Sequence, residues 1–147
     1  MPDSQPAMRD DYPDDFIRAI LTKVQTIAMV GLSAEPARPS HYVFDYLQQR
    51  GYRMVGVNPG LAGKEILGTP VYARLADIPF AIDMVDIFRN SEAAGAVVEE
   101  ALALVPLPKV IWMQLDVRND AAAQKAEALH LKVVMNRCPK IEYKRLM

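Results

Sequence analysis

The chain has 147 residues, of which 51% are hydrophobic and 24% charged, and its formal net charge is −1. This composition is typical of one globular domain and excludes a disordered chain, while the balanced charge argues against a general nucleic-acid binder. The single cysteine excludes an intramolecular disulfide and a structural zinc site built mainly on cysteine. Because no apolar run reaches about 18 residues and the acidic, Pro-rich start is unlike a signal peptide, we expect a cytoplasmic protein that does not bind membranes.

The predicted elements alternate between helices and strands along the chain. Residues 1–12 are predicted as a loose N-terminal arm, and residues 13–147 as a single domain. Five short apolar runs are typical of strands buried on both faces. They cover residues 26–31, 52–57, 82–88, 110–113 and 133–135. Helices are predicted from Asp14 onwards, at 39–50, at 91–105 with Ser91 as its cap, at 119–130, and briefly in the C-terminal tail.

Strands that alternate with helices of this length are joined by crossover connections into a parallel sheet. The sequence therefore predicts an α/β, doubly wound, mainly parallel sheet of about five strands with helices on both faces. In such a sheet, ligands bind outside the carboxyl ends of the strands, at the switch point. This rule selects the loops 31–40, 58–60, 88–91, 113–118 and 136–139 as candidate binding loops.

Two of these loops carry arginines that suit an anionic ligand. Gly31 allows a sharp turn after the first strand, Ser33 offers a hydroxyl and an N–H group, and Arg38 precedes a helix whose first N–H groups can bind phosphate. An ordinary turn with a surface arginine explains the same residues equally well. Arg89 follows the third predicted strand, and the alternative for this side chain is an ion pair with Asp86 or simple solvation.

The first loop departs from the dinucleotide-binding fingerprint. It has G-x-S-x-x-P where that fingerprint has G-x-G-x-x-G, and Asn58 stands near the end of the second strand where a carboxylate would bind the ribose of NAD. A neutral Asn58 tolerates a phosphorylated ribose. A plain turn also explains the Asn-Pro-Gly sequence at 58–60.

The segment GLSAEPARPSHYVFDYLQQRGYRMVGVNPGLAGKEILGTPVY, followed by IDMVDIFR, IWMQLDV and VVMNRC, resembles the small single-domain CoA-binding proteins. These are similar to the CoA-binding domain of the succinyl-CoA synthetase alpha subunit. The resemblance extends from about residue 14 to the end, and it implies a Rossmann-like fold that binds coenzyme A along the strand ends. The ligase reaction of the synthetase needs a phosphorylated histidine from another domain, so the resemblance does not imply that activity here.

The resemblance implies three groups of ligand contacts, all at strand ends. The contacts to the pyrophosphate come from Gly31, Leu32, Ser33, Arg38 and Ser40. The contacts under the adenosine come from Val57, Asn58 and Pro59. Phe88 and Arg89 flank the nucleotide, and Lys64 is a candidate for the ribose phosphate.

The leading hypothesis is a module that binds CoA or an acyl-CoA without catalysis, as a carrier or sensor, alone, as a homodimer or with a partner enzyme. The alternatives are a nucleotide-dependent enzyme or a regulatory subunit of a larger enzyme. Such an enzyme would be an NAD(P) oxidoreductase, or an acyl-CoA-handling enzyme that uses His41 or Cys138. A thiol at Cys138 is able to form a mixed disulfide with CoA, although a small, semi-buried residue beside Pro139 is the simpler interpretation.

Overall fold

The computed structural model describes residues 11–147, so residues 1–10 of the predicted arm lie outside the described residues. The helices are α1 (Asp14–Lys23), α2 (Pro39–Gln49), α3 (Ser91–Leu102), α4 (Asp120–Ala128) and α5 (Pro139–Leu146). The strands are β1 (Thr26–Val30), β2 (Arg53–Val57), β3 (Glu65–Ile66), β4 (Thr69–Tyr72), β5 (Met84–Ile87), β6 (Val110–Met113) and β7 (Lys132–Val134). Within this range, no helix has the length and apolar character needed to cross a membrane.

All seven strands form one sheet in the order β3-β4-β2-β1-β5-β6-β7. Every neighbouring pair is parallel except β3 and β4, which are antiparallel. The α/β, mainly parallel, Rossmann-like fold is therefore confirmed, but the predicted count of about five strands is too low. The two additional strands form a short hairpin at the sheet edge. They have two and four residues, and Pro70 interrupts the donor pattern of β4, so the sequence carries little signal for them.

Alternate residues of the central strands face two separate cores, which explains why these runs are apolar throughout. Ile27 of β1 packs with α1, α2 and the start of α5, whereas its neighbour Ala28 packs with α3 and α4. Trp112 of β6 is fully buried in the first of these cores, and its Nε1 donates to the carbonyl oxygen of Arg137 at 2.9 Å. Trp112 is therefore a core residue.

The predicted cap and end of α3 are wrong by a few residues. Asn90 is the cap, because its side-chain oxygen accepts from the N–H of Ala93 at 2.8 Å, and the helix ends at Leu102 rather than near Val105. The hydroxyl of Ser91 instead accepts from the N–H of Arg118 at 3.0 Å. Ser91 therefore links the start of α3 to the loop after β6.

The switch point of the sheet lies between β1 and β5. The chain runs outward from β1 through α2 to β2, and outward in the opposite direction from β5 through α3 to β6. The N–H of Phe88 donates to the carbonyl of Val30 at 2.8 Å, and the N–H of Gly31 donates to the carbonyl of Val57 at 2.9 Å. The ends of β2, β1 and β5 are thus joined by backbone hydrogen bonds, directly below the predicted ligand crevice.

Candidate functional site

Two adjoining cavities lie at the carboxyl ends of the strands. The larger cavity has a volume of about 670 Å³ and the smaller one about 410 Å³. The larger cavity is lined by Gly31, Ser33, Arg38, Pro39, Ser40, Tyr42, Val43, Phe88, Gln114, Leu115, Asp116, Cys138, Lys140 and Ile141. The smaller cavity is lined by Val30, Gly31, Val57, Asn58, Pro59, Gly60, Phe88 and Arg89. Because Gly31 and Phe88 line both, the two cavities meet at the switch point.

Nine of the eleven predicted contact residues line these cavities. In the larger cavity they are Gly31, Ser33, Arg38, Ser40 and Phe88, and in the smaller one Gly31, Val57, Asn58, Pro59, Phe88 and Arg89. Leu32 and Lys64 line neither. The Leu32 side chain is fully buried against Gly56, where an added Cβ would lie 2.3 Å from Leu32 Cδ2. Lys64 is exposed in the turn before β3, where its carbonyl accepts from the N–H of Val71 at 2.9 Å.

Gly31 is the point of closest approach between the loops after β1 and β5. Its φ is +100°, a conformation that residues with a Cβ rarely adopt. An added Cβ would lie 2.6 Å from the carbonyl oxygen of Phe88, which is closer than real Cβ contacts. Only glycine therefore permits this turn together with this backbone contact.

The loop between β1 and α2 is held by two serine contacts. The N–H of Ser33 donates to Oγ of the buried Ser40 at 2.9 Å, and Oγ of Ser33 accepts from the N–H of Glu35 at 3.0 Å. The Ser33 N–H, which the sequence suggested as a phosphate donor, is thus already used inside the protein. Among the described residues, the N–H groups of Leu32 and Ala34 have no acceptor; Leu32 is fully buried, whereas Ala34 is exposed.

Asn58 connects the loops after β1 and β2 through its side-chain amide. Its Nδ2 donates to the carbonyl of Leu32 at 2.8 Å, and its Oδ1 accepts from the N–H of Gly60 at 2.9 Å. Both ends of the amide are therefore occupied by protein groups. This side chain fixes the relative position of the two loops and caps the 3-10 turn Pro59–Leu61.

Three cationic side chains border the cavities. Arg38 and Arg89 are exposed, and within the described part of the chain neither has an ion-pair partner. The alternative pair between Arg89 and Asp86 does not form, because the Asp86 carboxylate is fully buried and has no partner among those residues. Lys140 Nζ lies 5.0 Å from the ring centroid of Tyr42 at the larger cavity. These positions place positive charge around a site whose protein is nearly neutral overall.

Two buried polar groups near the larger cavity lack hydrogen-bond partners within residues 11–147. They are Oε1 of Gln114, a residue that lines this cavity, and the carboxylate of Asp86, which does not line it. Asp86 lies in register between Met29 and Trp112, on the side of the sheet covered by α2 and α5. Burial raises the pKa of this carboxyl well above its ordinary value.

Cys138 immediately precedes α5, is 6% exposed and lines the larger cavity. Burial raises the pKa of its thiol, and a charge on Asp86 raises it further, whereas the backbone N–H groups of Ile141 and Lys140 lower it. The thiol is therefore held mainly in its neutral form. His41, the other candidate for catalysis, does not line either cavity in the described structure.

Sequence reasoning missed four cavity residues with polar or aromatic side chains: Tyr42, Gln114, Asp116 and Lys140. Two of them, Gln114 and Asp116, lie in the loop 113–118 that the strand-end rule selected. Their position after a strand could therefore have identified them, although their residue types did not. Lys140 lies just beyond the selected loop 136–139. Tyr42 lies within α2, where sequence periodicity does not distinguish a helix face that borders a cavity from one that faces solvent.

The chain is similar in sequence and in fold to known proteins. The sequence profile of the CoA binding domain matches residues 25–144. The uncharacterized protein YneT of Bacillus subtilis (strain 168) is 37% identical over 127 residues, which are 86% of this chain and 91% of that protein. A solved structure from Thermus thermophilus is 36% identical, with a TM-score of 0.86 over 92% of this chain and 100% of that chain. A hypothetical protein from Pyrococcus horikoshii OT3 is 37% identical, with a TM-score of 0.87 over 99% of both chains. The resemblance seen in the sequence is confirmed, and this chain belongs to the CoA binding domain family.

Proposed function

We propose that this protein binds coenzyme A, or an acyl-CoA, across the two cavities at the carboxyl ends of the strands, and that it acts as a carrier or sensor rather than as an enzyme. The observation that carries this proposal is the pair of adjoining cavities at the switch point, bordered by two arginines with no ion-pair partner in the described structure. Family membership supplies the ligand class.

The pyrophosphate is assigned to the junction of the cavities, above Gly31. Arg38 lies at the N-terminal end of α2, where the helix dipole favours an anion. The N–H group of the exposed Ala34, which has no acceptor among the described residues, belongs to the same loop. Charge-assisted hydrogen bonds from a guanidinium and backbone N–H groups are the usual means of binding a pyrophosphate without a basic surface.

The adenosine is assigned to the smaller cavity. Val57 and Pro59 provide apolar wall, and Arg89 provides a cation at its rim. Because the Asn58 amide is occupied by protein groups, this residue supports the ligand by holding the loop rather than by donating to it. Lys64 is exposed and lies a few residues after Pro59 in the chain. We assign it to the ribose phosphate, a contact that requires its long side chain to extend past the 3-10 turn Pro59–Leu61.

The pantetheine arm is assigned to the larger cavity, which has both apolar and polar lining. Val43 and Phe88 offer apolar contacts, and Gln114 contributes a polar side chain to the lining. An amide-containing chain needs this mixture, because its N–H groups lose water on binding. His41 lies outside both linings, which favours binding over an acyl-CoA reaction that uses it as a base.

Isothermal titration calorimetry with CoA tests the proposal. We expect Arg38→Ala and Arg89→Ala each to weaken binding by about 1–3 kcal/mol, or roughly 5- to 150-fold, because each removes a charge-assisted contact. Arg74→Ala is the matched control, since Arg74 is exposed, pairs with Asp77 at 3.1 Å and lines neither cavity. The absence of both heat and thermal stabilisation at millimolar CoA would refute the proposal.

A parallel titration with NAD and NADP tests the alternative of an oxidoreductase. The loop after β1 lacks the second and third glycines of the dinucleotide fingerprint, and Asn58 stands at the end of β2 in place of the expected carboxylate. We therefore expect weaker binding of both dinucleotides than of CoA. Tighter binding of either dinucleotide would replace the CoA proposal with a redox function.

A further inference from the structure

We infer that the larger cavity carries a subsite for the acyl chain of an acyl-CoA, formed by Tyr42, Leu115 and Ile141. This inference rests on the proposed binding of CoA and names the class of thioester that the site prefers, which is one with an uncharged, apolar acyl group. The preference is a property of one wall of the cavity, so it is tested separately from the binding of CoA itself.

The three side chains are large, hydrophobic and exposed at the rim of one cavity. Tyr42 is 44% exposed, Leu115 42% and Ile141 50%, and all three line the larger cavity. They come from three parts of the chain, namely the first turn of α2, the loop after β6 and the first turn of α5. Exposed hydrophobic side chains that are scattered singly need no explanation, whereas a group of them at a cavity indicates a surface that an apolar ligand covers.

The sheet topology puts the apolar wall at the far end of the cavity from the assigned pyrophosphate. Gly31 and Arg38 follow β1, whereas Leu115 follows β6, and β5 lies between these two strands. Because neighbouring strands are about 4.8 Å apart, the loop after β6 begins about 10 Å from the loop after β1. A pantetheine arm that leaves the pyrophosphate and follows the cavity therefore directs its thioester end toward Leu115.

The charges along the cavity follow the same division. Arg38 lies at the β1 end, and Lys140 Nζ lies 5.0 Å from the ring centroid of Tyr42 on α2. Leu115 is followed in the chain by Asp116, which is exposed, lines the cavity and has no ion-pair partner among residues 11–147. Its carboxylate repels a second carboxylate, so the acyl group that suits this wall is uncharged.

The gain in affinity comes from apolar surface that the acyl chain and the wall remove from water together. Full burial of one methylene group corresponds to about a fourfold gain in affinity. Because the three side chains lie at a rim that is open to solvent, an acyl chain there is covered on one side only, and about twofold per methylene is expected. Octanoyl-CoA should therefore bind at least about tenfold more tightly than acetyl-CoA.

Calorimetry of the wild-type chain with acetyl-CoA, octanoyl-CoA, butyryl-CoA and succinyl-CoA tests the inference. Butyryl and succinyl groups have the same number of carbons, so their comparison isolates the effect of the second carboxylate. We expect butyryl-CoA to bind roughly threefold or more tightly than succinyl-CoA at low salt, and Asp116→Asn to reduce this ratio. Asparagine suits the backbone of Asp116, whose φ is +68°.

Three serine variants locate the acyl chain. Leu115→Ser and Ile141→Ser should each lower the ratio of octanoyl-CoA affinity to acetyl-CoA affinity about threefold, because each removes apolar contact area. Leu129→Ser is the matched control, since Leu129 is 47% exposed and lies with Val110 and Lys132 at the amino ends of β6 and β7. It should leave the ratio unchanged. Each ratio is taken within one variant, so a general change in CoA binding cancels.

The outcomes separate this inference from the proposed function. Equal affinities for acetyl-CoA and octanoyl-CoA would overturn the inference, while the binding of CoA would stand. A chain-length preference that survives both Leu115→Ser and Ile141→Ser would also overturn it, because the acyl chain would then lie on another surface. Succinyl-CoA that binds as tightly as butyryl-CoA would refute the uncharged ligand class. If neither free CoA nor any of these thioesters binds, the proposed function itself fails.

Discussion

Replacing Gly31 by alanine should separate two physical costs at the junction of the cavities. Gly31 has φ +100°, and a Cβ there would lie 2.6 Å from the carbonyl oxygen of Phe88. The left-handed conformation costs an L-residue about 1–2 kcal/mol, and the forced displacement of a packed neighbour costs about 1–3 kcal/mol. We therefore expect Gly31→Ala to lower the free energy of unfolding by about 2–5 kcal/mol.

Gly51 provides the matched control for this variant. It has nearly the same φ, +102°, but nothing lies within 4 Å of its added Cβ. Gly51→Ala should thus carry only the conformational cost of about 1–2 kcal/mol. Urea denaturation measures both free energies, and the difference between the variants reports the contact with Phe88.

The same two variants test the location of the ligand. Gly51 lies between α2 and β2, at the opposite edge of the sheet from the cavities, whereas Gly31 lines both of them. We expect Gly31→Ala to weaken CoA binding at least about tenfold, equivalent to 1.4 kcal/mol, and Gly51→Ala to leave it unchanged in calorimetry. Equal losses of stability in the two variants would refute the role assigned to the backbone contact.

Three further predictions concern buried or loop-bracing side chains. Because burial raises the pKa of Asp86, the native state keeps a proton that the unfolded chain releases above the ordinary value of 3.8, and stability falls as pH rises through this range. Asp86→Asn removes the titrating group and with it this pH dependence. In chemical denaturation, the free energy of unfolding of the variant minus that of the wild type should therefore increase from about pH 4 to about pH 8. Asn58→Asp loses the donor to the Leu32 carbonyl and adds a negative charge, so it should cost about 1–3 kcal/mol of stability and weaken CoA binding in calorimetry. Trp112→Phe leaves a void and removes the donor to the Arg137 carbonyl, and its unfolding free energy should fall by about 2–4 kcal/mol.

The central sheet could be predicted from the sequence because a strand that is buried on both faces appears as a continuous apolar run. Residues 26–30 of β1 face one core or the other in alternation, so the whole run must be apolar apart from Thr26 at its start. The hairpin of β3 and β4 contains no such apolar run. Its strands are short, and exposed Glu65 and Pro70 are compatible with their pairing. β3 forms the sheet edge and β4 lies between β3 and β2, but neither strand contains an apolar run long enough to be recognised in the sequence.

The sequence predicted which loops form the candidate site, but not the hydrogen bonds that the residues in these loops make. The strand-end rule selected the loops that line the cavities, because parallel strands present their carboxyl ends at one edge. The sequence could not show that Ser40 occupies the Ser33 N–H, since this bond depends on the turn conformation of the intervening residues. Nor could it show that Asp86 lacks a partner, because strand alternation predicts the face of a side chain but not its neighbours.

The meeting of two cavities at Gly31 has a consequence for how tightly a ligand is held. A molecule that fills both cavities behaves as two linked fragments, and binding of the first raises the local concentration of the second. Translational freedom is lost once for the linked molecule but twice for separate pieces. The nucleotide and pantetheine halves of CoA, added separately, should each bind weakly, and the product of their affinities should fall well short of the affinity of the intact ligand. Affinity would then depend on the length of the molecule that spans the switch point as much as on any single contact.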